Sequence, residues 1–233
     1  MPNHISTNFR ITGPTAEVKR FIKDAAGKDS VLSLDSLLPM PSELRMVSCP
    51  VKIMTQAEID KQWADWREAK AKKQDSGPMG IHSFDSDRPF GLGMTQEQSD
   101  SLVAKYGTNN WYDWASINWG TKWGAYDSGD WVVTEGDNGN ATAAVFYNTA
   151  WGPACPFFHH VSHQFPTLTF DTQVADEGGN FVSEISYEQG ETTKENDYDW
   201  DSEEGIRVRK NVGYYDEYAD EDEDDGWVTT DVA

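Results

Sequence analysis

Along the first eleven residues, apolar side chains recur at every second position. Ile5, Thr7, Phe9 and Ile11 fall on one side, which predicts a strand with one buried face. Thr12-Gly13-Pro14 ends that pattern, and Pro14 suits the first position of a helix because its φ is already helical. Val18, Phe21, Ile22 and Ala25 follow at helical spacing, with Gly27 placed for a left-handed cap. Val31-Leu32-Ser33-Leu34 reads as a short extended segment. Pro39 and Pro41 keep the next stretch out of any helix interior.

Two capping boxes mark helices in the middle of the chain. Thr55-Gln56-Ala57-Glu58 opens one whose stripe is Ile59, Trp63 and Trp66 and which runs to about Lys73. Lys70, Lys72 and Lys73 suit its negative C-terminal pole. Thr95-Gln96-Glu97-Gln98 opens another, carrying Leu102, Val103 and Tyr106 up to Gly107. Residues 74–93 between them, rich in Gly, Pro, Ser and Asp, read as a loop. Asn109 or Asn110 can cap a third helix bearing Trp111, Trp114 and Ile117.

From Trp131 the period changes to two. Trp131-Val132-Val133 and Ala143 to Tyr147 predict paired strands around a turn at residues 136–140. Pro156 to Phe165 predicts a short helix. Leu168, Phe170, Thr172 and Val174 alternate, as do Phe181, Ser183, Ile185 and Tyr187, and Asp176-Glu177-Gly178-Gly179 joins them as a hairpin. Beyond Gly190 acids and aromatics are mixed. There Ile206-Arg207-Val208-Arg209 alternates like a strand, and residues 220–225 are expected to be mobile. So many aromatics argue for a partly folded region rather than a disordered tail.

Charge divides the chain more sharply than hydropathy does. The net charge is −21, yet residues 1–100 hold 14 acids and 13 bases, whereas residues 176–233 hold 20 acids and 4 bases. A surface of that sign repels phosphates, so direct nucleic-acid binding is not expected, and a basic protein partner is. Ten Trp, nine Tyr and ten Phe supply area for a core. No apolar run is long enough for a membrane helix, and the N-terminus has no signal-peptide pattern, so a cytoplasmic location is expected, in a bacterial host. Cys49 and Cys155, the only cysteines, are expected to be reduced core residues.

Few residues suggest chemistry. His159 and His163 stand four apart beside His160, as zinc ligands can, but no HExxH glutamate or nearby Cys pair joins them, so no metal is expected. Asp113 reads as a capping carboxylate in preference to a catalytic one. Trp111, Trp114, Trp119, Trp123 and Trp151 could line a pocket for a base or sugar, though Trp at helical spacing belongs more often to a core. No phosphate loop or nucleophile elbow is present, and no catalytic residue or cofactor is expected.

Several stretches resemble a known family. They are Met1-Pro2-Asn3 with the strand, Gly13-Pro14 and helix that follow, then Leu34-Asp35-Ser36-Leu37-Leu38-Pro39-Met40-Pro41, and Trp111-Tyr112-Asp113-Trp114 leading to Asn118-Trp119-Gly120-Thr121-Lys122-Trp123. Thr149-Ala150-Trp151-Gly152-Pro153 and Phe165-Pro166-Thr167-Leu168-Thr169-Phe170 join them. Over about residues 1–190 the chain is similar to the YubB-type ferredoxin-like family of phage and plasmid proteins. The resemblance implies an α+β fold, a ferredoxin-like antiparallel sheet with helices on one face, and an origin in a phage or mobile element. It supplies no catalytic residues. It implies no iron–sulfur cluster, for which two distant cysteines do not suffice.

The organisation expected is therefore a core over residues 1–190 with a helical insertion near residues 42–120, followed by an acidic extension over residues 191–233. The extension could be a solubilising tail, an imitation of DNA phosphates or, less readily, a calcium site, since no twelve-residue loop has Gly in sixth place. Phosphate mimicry is the sharpest of these. Asp197, Asp199, Asp201, Glu203, Glu204, Asp216, Glu217, Asp220, Glu221, Asp222, Glu223, Asp224 and Asp225 would then bind the basic groove of a host nucleic-acid-binding defence complex, such as a CRISPR effector, restriction enzyme or nuclease. The alternatives are a small-molecule binder or enzyme built on the tryptophans, or a phage assembly protein.

Overall fold

The computed structural model describes residues 3–45, 47, 49–71, 89 and 92–214. Six strands form one sheet in the order β2-β3-β1-β4-β5-β6, and every neighbouring pair is antiparallel. In chain order the elements are β1 (His4–Pro14), α1 (Thr15–Ala25), α2 (Leu34–Leu37), α3 (Gln56–Ala71), α4 (Gln96–Tyr106), α5 (Trp111–Asn118), β2 (Val132–Glu135), β3 (Asn140–Ala150), α6 (Cys155–Gln164), β4 (Thr169–Asp176), β5 (Val182–Glu188), β6 (Glu191–Asp197) and α7 (Glu203–Asn211).

The run β1-α1-β2-β3-α6-β4 is a ferredoxin-like arrangement of split βαβ units, with β1 lying between β3 and β4. Helices α2 to α5 interrupt it between α1 and β2. The β5–β6 hairpin then widens the sheet past β4.

The core forms where the period-two pattern demands. Phe9 and Ile11 of β1 stand opposite Val145 and Ala143 of β3 and opposite Thr172 and Phe170 of β4. All six are buried, under Val18 and Phe21 of α1 and Phe158 and Val161 of α6. Phe9 meets the rings of Phe21, Trp131, Phe158 and Phe170 at centroid distances of 4.9–6.1 Å.

Both capping boxes form. The Thr55 amide donates to Glu58 Oε2 (2.8 Å), and the Thr95 amide donates to Gln98 Oε1 (2.9 Å). Gly107 caps α4 in the left-handed region, and Asn110 caps α5.

Several local expectations need correction. Pro14 is the N-cap of α1 rather than its first residue. The helix ends on Ala26 in an extended conformation, so Gly27 is not a left-handed cap. Leu34 begins the helical turn α2 instead of extending a strand. Cys49 is exposed and Cys155 half-buried, both as free thiols, so Cys49 is no core residue. Residues 74–88, 90 and 91 of the loop between α3 and α4 lie outside the described residues.

The largest corrections concern the C-terminal quarter. Residues 206–209 are helical, inside α7. The division drawn at residue 190 runs through the β5–β6 hairpin, because β6 pairs with β5 from Ser183↔Asp197 to Glu188↔Glu191. Helix α7 also lies on the face away from α1 and α6. Its Val208 and Val212 pack on Ala175 and Val182, which stand opposite one another and project away from the main core.

Candidate functional site: the acidic end of the sheet

The expected site begins at the end of β6. Asp197 accepts a hydrogen bond from Ser183 Oγ (2.6 Å) across the hairpin. The chain then turns through residues 198–202 into α7. Ser202 caps that helix, its Oγ accepting from the Gly205 amide (3.1 Å) and donating to the Asp199 carbonyl (2.7 Å). Gly205 has no room for a side chain, since a Cβ there would collide with the Asp199 carbonyl oxygen.

Aromatics fix this turn from beneath. Trp200 lies between the Arg209 guanidinium, 4.6 Å from its ring centroid, and the Tyr214 ring at 5.4 Å. The Tyr198 hydroxyl donates to Glu184 Oε2 (2.9 Å). Interleaving aromatics with acids thus pins the backbone while the carboxylates face water.

Asp197, Asp199, Asp201, Glu203 and Glu204 are all exposed. Asp199, Asp201, Glu203 and Glu204 have no ion-pair partner among the described residues. Part of this charge serves the helix, because Glu203 and Glu204 occupy its first turn and Arg209 and Lys210 its last, matching the macrodipole. Asp216, Glu217, Asp220, Glu221, Asp222, Glu223, Asp224 and Asp225 lie outside the described residues, as does the expected mobile stretch 220–225.

Glu184, which was not among the expected site residues, is the junction of this region. Its carboxylate accepts from Arg207 Nη1 (2.8 Å), Gln173 Nε2 (2.8 Å), Tyr198 Oη (2.9 Å) and Lys194 Nζ (3.4 Å). The Arg207 contact first, then those of Gln173 and Tyr198, hold Glu184 down at about 2 against the opposing effect of burial. Strands β4, β5 and β6, the turn and α7 therefore meet at one charge. An alternating Glu184 on a polar face gives no local sign of that role.

The rest of this polar face is self-compensated. Arg10 pairs with Asp171 at 3.2 Å, and Ser186 Oγ donates to the same carboxylate at 2.7 Å. A shallow concavity of about 380 Å³ lies over these residues, beside Asn8 and Asn211. Its cations and carboxylates cancel, which leaves little net charge to attract a ligand. A second, more apolar concavity of about 400 Å³ lies between α4 and Val47, Leu92 and Met94.

The other candidates resolve individually. Asp113 trades bonds with the cap of α5, receiving Asn110 Nδ2 (2.8 Å) while its amide donates to Asn110 Oδ1 (2.9 Å), as a capping residue does. The His159 ring contacts Thr192 Oγ1 (2.8 Å), and His160 contacts Gln164 (2.8 Å). No group of three or more His, Cys, Asp or Glu is placed to hold a metal ion among the described residues. Burial pushes the Cys155 thiol up, and partial desolvation followed by Asp113 pushes up that of the surface residue Cys49. The tryptophans do not line one pocket. Trp114 and Trp119 are buried, Trp111 is half-buried, and Trp123 and Trp151 face solvent. No helix among the described residues is long and apolar enough to cross a membrane.

Residues 118–225, a little under half of the chain, match the family model described as the ferredoxin-like domain in Api92-like protein. That span takes in β2, β3, α6, β4, β5, β6 and α7, so the acidic end lies within the matched region instead of being appended to it. The crystal structure of the protein api92 from Yersinia pseudotuberculosis is similar at 9% identity, over 85% of this chain and 98% of that one, with a TM-score of 0.40. No curated protein matches the chain.

Proposed function

We propose that this chain is a non-catalytic binding protein whose acidic end occupies a basic, nucleic-acid-binding groove of another protein. In its specific form it is a YubB-type phage or plasmid counter-defence protein acting in the host cytoplasm on a CRISPR effector, restriction enzyme or nuclease. The observation that carries the reading is the row of uncompensated carboxylates Asp199, Asp201, Glu203 and Glu204 on a turn whose backbone is held by Trp200, Tyr198, Ser202 and Gly205. A cationic groove gains from charges already in place, whereas a flexible polyacid must first be ordered. Asp197 extends the row onto β6.

The test compares the full chain with a variant carrying Asp197→Asn, Asp199→Asn, Asp201→Asn, Glu203→Gln and Glu204→Gln. Both are titrated against purified host nucleases with basic grooves, with and without competing duplex DNA. The original chain is expected to compete with DNA and to weaken steeply with salt. The neutralised chain is expected to bind about 10–100-fold more weakly, with a shallower salt dependence. Unchanged affinity in the variant, or binding indifferent to DNA, overturns the reading. Truncation from residue 195 is unsuitable, because it removes part of β6 and all of α7.

A further inference from the structure

Two tryptophans behave differently from those of the core. The Nε1–H of Trp119 donates to the Leu38 carbonyl (2.9 Å), and that of Trp131 donates to Val31 (3.0 Å). Trp123 and Trp151 are 38% and 50% exposed, and neither indole N–H has a partner among the described residues. The Lys122 ammonium stands between them, 4.8 Å from the centroid of Trp123 and 4.6 Å from that of Trp151. Lys122 forms no ion pair with a carboxylate among the described residues, and its ammonium contacts the two ring faces.

This arrangement is built rather than incidental. Trp151 adopts φ 72°, and Ala154, three residues on, adopts φ 60°, both in the left-handed region that side chains avoid. The Trp151 amide donates to the Asn3 carbonyl (3.0 Å), and the Lys122 amide donates to the Ala150 carbonyl (3.0 Å). Thr121 Oγ1 lies within hydrogen-bond distance of the carbonyls of Ala150 (2.9 Å) and Trp123 (3.1 Å). Gly152 and Gly120 lie so close that a Cβ on Gly152 would collide with the Gly120 carbonyl oxygen. Backbone strain and close packing thus hold two indoles half in water beside a cation that has no ion-pair partner among the described residues.

We propose that Trp123, Lys122 and Trp151 form a binding site for a small anionic ligand with a flat ring, the chemistry of a nucleoside monophosphate. A base stacks on the more exposed indole, Trp151, since any base offers a π face. The phosphate meets the Lys122 ammonium, which keeps both ring contacts while gaining an anion. A net charge of −21 and a single lysine disfavour long polyanions, so the ligand is a mononucleotide rather than a strand. This surface adjoins the end of β3, four strands from β6.

The experiment follows the tryptophan indole N–H resonances of the full chain during titration with adenosine 5′-monophosphate, adenosine, inorganic phosphate and a short single-stranded oligonucleotide. The signals of Trp123 and Trp151 are expected to move with the monophosphate while those of Trp119 and Trp131 stay. Lys122→Gln is expected to weaken the monophosphate about tenfold, the worth of one charge-assisted bond, and to leave adenosine unchanged. Trp151→Ala is expected to lose both ligands while keeping the thermal midpoint of unfolding. The proposal is overturned by stationary Trp123 and Trp151 signals, by inorganic phosphate binding as well as the monophosphate, or by an oligonucleotide binding more tightly than either. Should Trp151→Ala not fold, the resonances of the unmodified chain and the Lys122→Gln comparison decide it alone.

Discussion

The two faces of the sheet are made of the same six strands and hold together by different physics. One face is apolar: Phe9, Val145, Phe170 and Ile185 lie beneath α1 and α6 and exclude water. The other is polar: Arg10, Asp171, Gln173, Glu184 and Lys194 pair among themselves, and α7 covers one end through Val208 and Val212. Apolar burial is non-directional and scales with area, so the first face resists change in proportion to volume. Ion pairs and hydrogen bonds are local, so the second face depends on a few contacts, chiefly those of Glu184. A molecule built this way can keep its stability on one side and place charge at the edge of the other.

The strongest way to break this contrast is to remove volume from the apolar face. Phe9→Ala empties a site ringed by Phe21, Trp131, Phe158 and Phe170, and should cost about 3–5 kcal/mol in urea unfolding. A loss below ~1 kcal/mol would mean that the face collapses around the gap and is not close-packed.

An intermediate effect is expected at Glu184. Glu184→Gln should destabilise by about 1–3 kcal/mol, because several donors lose a charged acceptor. Its folded pKa, about 2, lies below the ordinary glutamate value of about 4.3, so the sign is that of a carboxylate stabilised in the fold. Its contribution is complete above the ordinary value and fades as pH falls toward about 2. The unmodified chain and Glu184→Gln should therefore converge in stability over that window, as followed by denaturant unfolding at a series of pH values. A constant gap between them would remove the network from the account.

The smallest effect is expected at Arg10, whose pairing with Asp171 is 58% exposed on the arginine side. Arg10→Met should change stability by at most about 1 kcal/mol and lose most of that dependence in high salt. A larger loss would show that the polar face is a second core.

Local signals along the chain specify much of the fold. The alternation in β1, β4 and β5, both capping boxes and the Asn110 cap depend on residues a few positions apart, and each formed as expected. The candidate carboxylates Asp197 to Glu204 are close in sequence, and the structure places them along the end of β6, the turn after it and the start of α7. Helix α7 is hidden from a strand reading because four alternating residues, Ile206-Arg207-Val208-Arg209, suit either period. The better signal was Ser202 followed by two acids, with Arg209 and Lys210 six residues on, the marks of a capped helix.

The amino-acid sequence alone determined β1, β3, β4 and β5, the starts of α3, α4 and α5, and the sign and location of the charge, because those follow from backbone geometry and short-range hydrogen bonding. Only the tertiary structure decided that α7 crosses to the polar face, that residues 191–197 complete the sheet, and that Trp123 and Trp151 stay in water while Trp114 and Trp119 do not. Each of those outcomes depends on a surface contributed by residues distant in the chain, such as Ala175 and Val182 beneath Val208, and burial has no local signature until that surface exists.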